Sequence, residues 1–235
     1  MGPSTRTAAV SIQAGGVKLP GLLRLPSDAS ALILFAHGSG SSRLSPRNTY
    51  VAEHLGQAGF GTLLFDLLTE QEEEVDETAE LRFDIPLLSA RLSAATEWTL
   101  RQPLLGGLAV GYFAASTGAA AALTAAAQLP EVAAVVSRGG RPDLAGPALS
   151  RVRAATLLIV GGNDPQVLTL NRYALQQLSC ETELAVVPGA THLFAEPGAL
   201  TQVASLATAW FRRHATLQTA LAGRRNDGVS RATRT

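Results

Sequence analysis

The sequence predicts an α/β fold: a mostly parallel central sheet of about eight strands, an antiparallel N-terminal hairpin, helices on both faces and no large lid domain. Three observations predict it. Short apolar runs alternate with longer stretches of helical periodicity through most of the 235 residues. Runs such as ALILFAHG at 31–38 are continuously apolar, as in strands covered on both faces. The first two runs, by contrast, are separated only by QAGG, a turn signal.

In chain order, TAAVSI (7–12) and VKLPGLLRL (17–25) form the hairpin. Strand 31–38 is followed by a loop rich in glycine and serine and by a helix over 46–58, ended by Gly59. GTLLFDLL (61–68) is the next strand, and TEQEEEVDETAE (69–80) reads as a solvated acidic loop or a frayed helix start. A helix over 84–100 carries Ile85, Leu88, Leu92, Ala95 and Trp98 at helical spacing, which is a core stripe. Strand 107–115, helix 117–128, strand 132–137 and a short helix near 147–152 come next. Strand 155–162, helix 167–178, strand 183–189 and a long helix over 200–218 complete the alternation. Parallel strands need crossover connections, so this order calls for helices on both faces of the sheet. Residues 1–219 read as a single domain, and 220–235, with four arginines and one aspartate, as a disordered tail.

Composition narrows the function classes. Hydrophobic residues make up 46% and charged residues 16%, which suits a folded globular chain. Lys+Arg and Asp+Glu both total 19, so no general attraction to nucleic acid or an acidic membrane is expected. Cys180 is the only cysteine, which excludes an internal disulfide and a cysteine-rich metal cluster. The opening MGPSTRTAAVSIQAGG lacks the apolar core of a signal peptide, and no apolar run approaches the roughly 20 residues of a membrane-spanning helix. A cytoplasmic protein is the expectation.

In open α/β sheets, sites form at the carboxyl ends of the strands. Four such ends carry candidate groups: the HGSG of residues 37–40, Ser116, Asp164 and His192. Ser116 lies in AASTG between a strand and a helix, a variant of the G-x-S-x-G turn with Ala114 in the leading position. Such a turn projects a hydroxyl clear of the sheet and presents free backbone N–H groups at a helix start. Alone, Ser116 and Asp164 would read as helix N-caps and His192 as a surface group. Together they stand at three successive suitable strand ends, in the order nucleophile, acid, base. They are therefore predicted to form a Ser-Asp-His catalytic triad, with the oxyanion held by the backbone N–H of Thr117 and of Ser39, Gly38 or Gly40 being near alternatives to Ser39. His37 shapes its loop in this reading, and His54 and His214 lie on helices as solvated groups. The HGSGSS stretch lacks the Gly-Lys-Ser/Thr of a phosphate-binding loop and the G-x-G-x-x-G of a dinucleotide site, so no cofactor is expected.

The segments LFAHGSGSSRLSPRN, GYFAASTGAAAAL, VVSRGGRPDLAG, LLIVGGNDPQVLTLN and VPGATHLF resemble the dienelactone hydrolase-like branch of the α/β-hydrolases. Within that branch they are most similar to a serine-bearing subgroup sometimes joined to phosphoribosyltransferase domains. The resemblance spans roughly residues 8 to 215 and implies an eight-stranded hydrolase fold and ester or lactone hydrolysis without a metal. True dienelactone hydrolases use a cysteine nucleophile, whereas Ser116 stands at the matching position here, and no phosphoribosyltransferase signature occurs in the 235 residues.

The short connection between the strands ending near Ser137 and beginning near Ala155 leaves room for one small helix, so an open pocket for a small-molecule ester is expected. Arg138 and Arg141, with Arg43, are candidates to bind a substrate carboxylate, although ion pairing with Asp143 or Asp164 is the stronger reading of that pattern. The main expectation is a carboxylic ester hydrolase working through an acyl-enzyme on Ser116. The alternatives are an acyltransferase on the same triad and a non-catalytic binding protein that retains the fold.

Overall fold

The computed structural model describes residues 4–229, with side chains through residue 215. Eight strands form one sheet: β1 (Thr5–Ala14), β2 (Val17–Pro26), β3 (Ala31–Ala36), β4 (Gly61–Phe65), β5 (Ala109–Ala115), β6 (Val132–Arg138), β7 (Ala155–Gly161) and β8 (Thr182–Val187). Their spatial order is β1-β2-β4-β3-β5-β6-β7-β8. β1 pairs with β2 in register from Thr5 opposite Pro26 to Ala14 opposite Val17, and β2 pairs antiparallel with β4. Every pair from β4 through β8 is parallel. The carboxyl ends of β3, β5, β6 and β7 therefore open on one edge of the sheet.

The described helices are α1 (Pro46–Gln57), α2 (Glu70–Val75), α3 (Glu80–Phe83), α4 (Ile85–Arg101), α5 (Thr117–Ala126), α6 (Pro165–Gln177) and α7 (Ala199–Val229). A 3-10 segment, Pro142–Arg151, breaks at Gly146 and occupies the place of the short helix expected near 147–152. Local chemistry sets the starts. Ser45, Asp84 and Asp164 cap α1, α4 and α6 with their side chains, each followed by a proline in the first turn, where its missing N–H costs nothing.

Strand alternation divides the core in two. Leu32, Leu34, Tyr112 and Ala114 face α4 and α5, whereas Ile33, Phe35 and Phe113 face α1 and α7. The α5 sequence TGAAAALTAA is almost wholly buried, and its small side chains let it lie close against the sheet. Ala114 is fully buried in the first core and stays in register with Ala36 and Ser137, so its methyl is taken up by ordinary packing.

One expectation is met in part and one needs correction. Most of the acidic run is exposed, as a solvated segment or helix start implies, but it is tied down at two points. Thr69 and Glu72 form a capping box on α2, and Glu72 Oε1 accepts from Arg91 Nη2 at 2.7 Å. Asp76 is buried and accepts from the backbone N–H of Leu81 at 2.8 Å and from Arg82 Nε at 2.7 Å. His214, expected in solvent, is buried against Trp210 with ring centroids 4.3 Å apart, because the inward stripe of α7 continues through it. The expected disordered tail at 220–235 falls on residues whose side chains, and from 230 whose backbone, lie outside the described residues. Among the described residues no helix is long and apolar enough to cross a membrane.

Candidate active site

β5 ends at Ala115 and α5 begins at Thr117, leaving Ser116 to make the whole turn. It does so at φ 49°, ψ −124°, a region costly for any residue with a side chain. Two backbone bonds hold it there: its carbonyl accepts from Ala119 N–H at 3.1 Å and from Arg141 N–H at 3.0 Å. The side chain makes no capping bond, so Oγ is free of the helix that it precedes. Glycines permit the approach of neighbouring chain. A Cβ on Gly118 would lie 2.4 Å from the carbonyl oxygens of Ala36 and His37, and one on Gly38 would lie 2.8 Å from Ser116 Cβ.

Asp164 and His192 meet directly. His192 Nδ1 stands 2.7 Å from Asp164 Oδ2, while the other carboxylate oxygen, Oδ1, caps α6 through Val167 N–H. The N-cap and the functional readings of Asp164 are thus both satisfied, one oxygen each. With Nδ1–H donated to the carboxylate, Nε2 keeps its lone pair. The loops carrying the two residues are laced together: Asn163 N–H donates to Ala190 O at 2.9 Å and Asn163 Nδ2 to Gly189 O at 2.9 Å. The His192 ring lies against Gly139, whose hypothetical Cβ would sit 3.6 Å from Cε1. Gly139 follows Arg138, the residue whose carbonyl accepts from Ser116 N–H at 3.4 Å. The structure therefore brings the acid and the imidazole into contact, and links the serine to them through Arg138 and Gly139, with no Ser116–His192 hydrogen bond formed in this state.

On the other side of Ser116 stands the loop after β3. Buried His37 fixes its shape, bonding Gly38 O through Nδ1 and accepting Leu67 N–H on Nε2, each at 3.0 Å. Burial lowers its pKa below the ordinary imidazole value, against weaker upward pulls from the Gly38 bond, Asp66 and Glu73. Ser39 lies next to Thr117, as expected, but its N–H donates to Thr117 Oγ1 at 3.0 Å. That donor is engaged in this state. A cleft of about 340 Å³ opens here, with Ser39, Ser42, Thr117, Leu68, Glu73 and Arg82 on its walls. Among the described residues no group of three or more His, Cys, Asp or Glu could hold a metal ion.

The three arginines separate. Arg141 pairs with Asp143 through two bonds, Nε to Oδ1 at 2.9 Å and Nη2 to Oδ2 at 2.8 Å, and that bond holds its guanidinium pKa up. Arg43 pairs with Asp66 through both its backbone N–H and its guanidinium. Arg138 meets neither Asp143 nor Asp164, so the ion-pair reading fails there. It is 7% exposed, reaches Asn48 Oδ1 at 3.4 Å and lies 6.0 Å from the Phe194 ring centroid.

The family profile described as the dienelactone hydrolase family matches residues 19–221. The chain belongs to the dienelactone hydrolase family. A solved dienelactone hydrolase from Anabaena variabilis is 58% identical, with a TM-score of 0.88 over 90% of this chain and 99% of that one. A dienelactone hydrolase-like promiscuous phosphotriesterase from metagenomic libraries shares the fold at 17% identity, with a TM-score of 0.73 over 89% of this chain and 98% of that one. Two Mycobacterium tuberculosis proteins that carry phosphoribosyl transferase in their names are 55% identical over 213 residues. Those residues are 90% of this chain and 47% of each relative, so the chain spans about half the length of the curated relatives it matches.

Sequence reasoning missed several residues at the site of this dienelactone hydrolase family member. Asn48 and Phe194 flank Arg138, and Glu73 and Arg82 wall the cleft. Phe194 adopts φ 54°, which nothing in the local sequence THLF, lacking glycine and asparagine, announces. Glu73 and Arg82 reach the cleft only because the acidic run folds back on α4, a contact invisible to local pattern.

Proposed function

We propose that the chain is a serine hydrolase of carboxylic esters, with Ser116 as nucleophile, His192 as general base and acid, and Asp164 as the group that orients the imidazole. The observation that carries this reading is the backbone of Ser116, held at φ 49°, ψ −124° with its hydroxyl free of the helix. A side chain kept at such a cost, beside a paired imidazole and carboxylate, is what an exposed nucleophile requires.

In the reaction, Ser116 Oγ bonds to the ester carbonyl carbon as its proton passes to His192 Nε2. The carbonyl oxygen takes the negative charge and is met by Thr117 N–H at the start of α5, with the Gly38–Gly40 loop beside it. Asp164 stabilises the imidazolium through Nδ1–H. The carbon–oxygen bond of the leaving alcohol then breaks, and Nε2–H protonates the departing oxygen, leaving an acyl-serine. Water repeats the sequence: His192 takes its proton, the hydroxyl adds to the acyl carbon, and Ser116 leaves with that proton. The transferase chemistry in the names of the two mycobacterial relatives belongs, in this reading, to the part of those proteins that the chain does not span.

Labelling with a fluorophosphonate probe tests the proposal. Wild-type protein takes up one equivalent and Ser116→Ala none, and only the former hydrolyses short-chain esters. Absence of labelling and of turnover in the wild type would favour a binding protein that keeps the fold.

A further inference from the structure

Arg138 is a buried cation for which the described residues supply no counter-charge. Its side chain leaves the end of β6 on the α1 side of the sheet, where it has one long bond to Asn48 and the face of Phe194. Its Nε is buried without a hydrogen-bond partner. Arg47, in the first turn of α1, repeats the pattern, with a buried, unpartnered Nε and no ion pair among the described residues. Burial, and then the like charge of Arg47, lower the Arg138 guanidinium to about 10. The first turn of α1 holds no acidic residue, so the positive end of a 12-residue helix adds to both guanidiniums. An unpaired buried charge is among the costliest arrangements in a protein interior, and a second cation beside it raises that cost.

The place is adjacent to the proposed chemistry. The carbonyl of Arg138 accepts from Ser116 N–H, and Phe194, which lies over its guanidinium, is two residues beyond His192. Arg43 and Arg141 have carboxylate partners, so the guanidiniums left without a counter-charge are those of Arg138 and Arg47.

We propose that Arg138, Arg47 and the first turn of α1 form a binding site for a phosphate group carried by the ester substrate. Two unpaired guanidiniums match a dianion, and a phosphate monoester carries close to two negative charges near neutral pH, whereas a carboxylate carries one. Planar guanidinium forks also fit the oxygens of a phosphate. This inference rests on the hydrolase reading for its setting, and its test separates the two.

Three matched esters, ending in a phosphate, a carboxylate or a hydroxyl, are compared by kcat/KM, with the group placed on the acyl side in one set and on the alcohol side in another. In wild-type protein one set shows the phosphate ester preferred over the hydroxyl ester by about ten- to hundredfold, and Arg47→Gln lowers that ratio by about tenfold or more. Arg47 is only half-buried and makes no ion pair among the described residues, so this variant is expected to fold even where Arg138→Gln does not. Separately, inorganic phosphate is titrated calorimetrically into Ser116→Ala protein with and without Arg47→Gln. Binding that weakens with the arginine change supports the site. Equal preference for the carboxylate and phosphate esters, no preference over the hydroxyl ester, or phosphate binding unaffected by Arg47→Gln would each overturn it. Failure of all esters with no fluorophosphonate labelling would instead remove the hydrolase reading and leave the phosphate titration to decide this one.

Discussion

Substituting Gly38 by alanine probes the fit between the loop after β3 and the turn at Ser116. The added Cβ would lie 2.8 Å from Ser116 Cβ, 3.2 Å from Ala115 O and 3.6 Å from Ser116 Oγ. Carbon atoms rest about 3.5–4.0 Å apart, so the methyl is at least about 0.7 Å too close. Ser116 cannot retreat, because its carbonyl is bonded to Ala119 and Arg141 and Gly118 is already jammed under Ala36 and His37. The displacement therefore falls on the 38–40 loop, which borders the oxyanion position of the proposed mechanism. A misplacement of about 1 Å at reacting groups costs about a hundredfold, so a loss of about ten- to hundredfold is expected, mainly in kcat. Overpacking also costs about 1–3 kcal/mol of stability, or a few degrees in melting temperature at about 2–4 °C per kcal/mol. Steady-state hydrolysis of a neutral short-chain ester, with thermal melting alongside, measures both. A kcat within twofold of wild type and an unchanged melt would show that the contact is not tight and would refute the reasoning.

Two further outcomes follow from strain and from proton linkage. Ser116→Gly should melt above Ser116→Ala: alanine retains the positive-φ strain of about 1–3 kcal/mol, while glycine sheds it against a chain-entropy cost of about 0.5–1 kcal/mol. A glycine variant melting below the alanine variant would mean the turn is not strained. Buried His37 has its pKa lowered from 6.5, so the unfolded chain binds a proton that the folded one refuses. The stability this contributes is complete above pH 6.5 and is lost as pH falls below it toward the folded value, at up to about 1.4 kcal/mol per pH unit. Urea midpoints between pH 7.5 and 5 should fall less steeply for His37→Asn than for wild type, and equal slopes would remove His37 as the source.

The contrast between Arg138 and Arg141 shows where the sequence stops being legible. Both stand in SRGGRPD and read alike, yet Arg141 finds its carboxylate two residues away in Asp143 and Arg138 finds none. Arg138 is the last residue of β6, and strand alternation turns it inward toward α1, so its surroundings are set by Asn48 and Phe194 from distant segments. The strands and most of the helices were readable because periodicity and caps act within a few residues. The order Ser116, Asp164, His192 was readable for a related reason: each residue lies just beyond the end of its own strand, and the parallel sheet brings those ends to one edge.

Which bonds those residues make is another matter. That Asp164 serves a helix cap with one oxygen and an imidazole with the other depends on how the loops after β7 and β8 are laced. The engagement of Ser39 N–H by Thr117 Oγ1 depends on residues 78 apart in sequence. The acidic run makes the same point from the opposite side. Its local character, repeated like charge, argues for a solvated segment, and most of it is exposed, yet Arg91 from α4 and Arg82 from α3 pair with Glu72 and Asp76 and Glu73 stands on the cleft wall. Local pattern therefore places chemistry-bearing residues at the site, while their charge state and bonding are settled by partners that only the closed sheet supplies. Arg138 and Arg47 fit this rule with one difference: no partner within the described residues completes them, which is why a ligand is the remaining place to look.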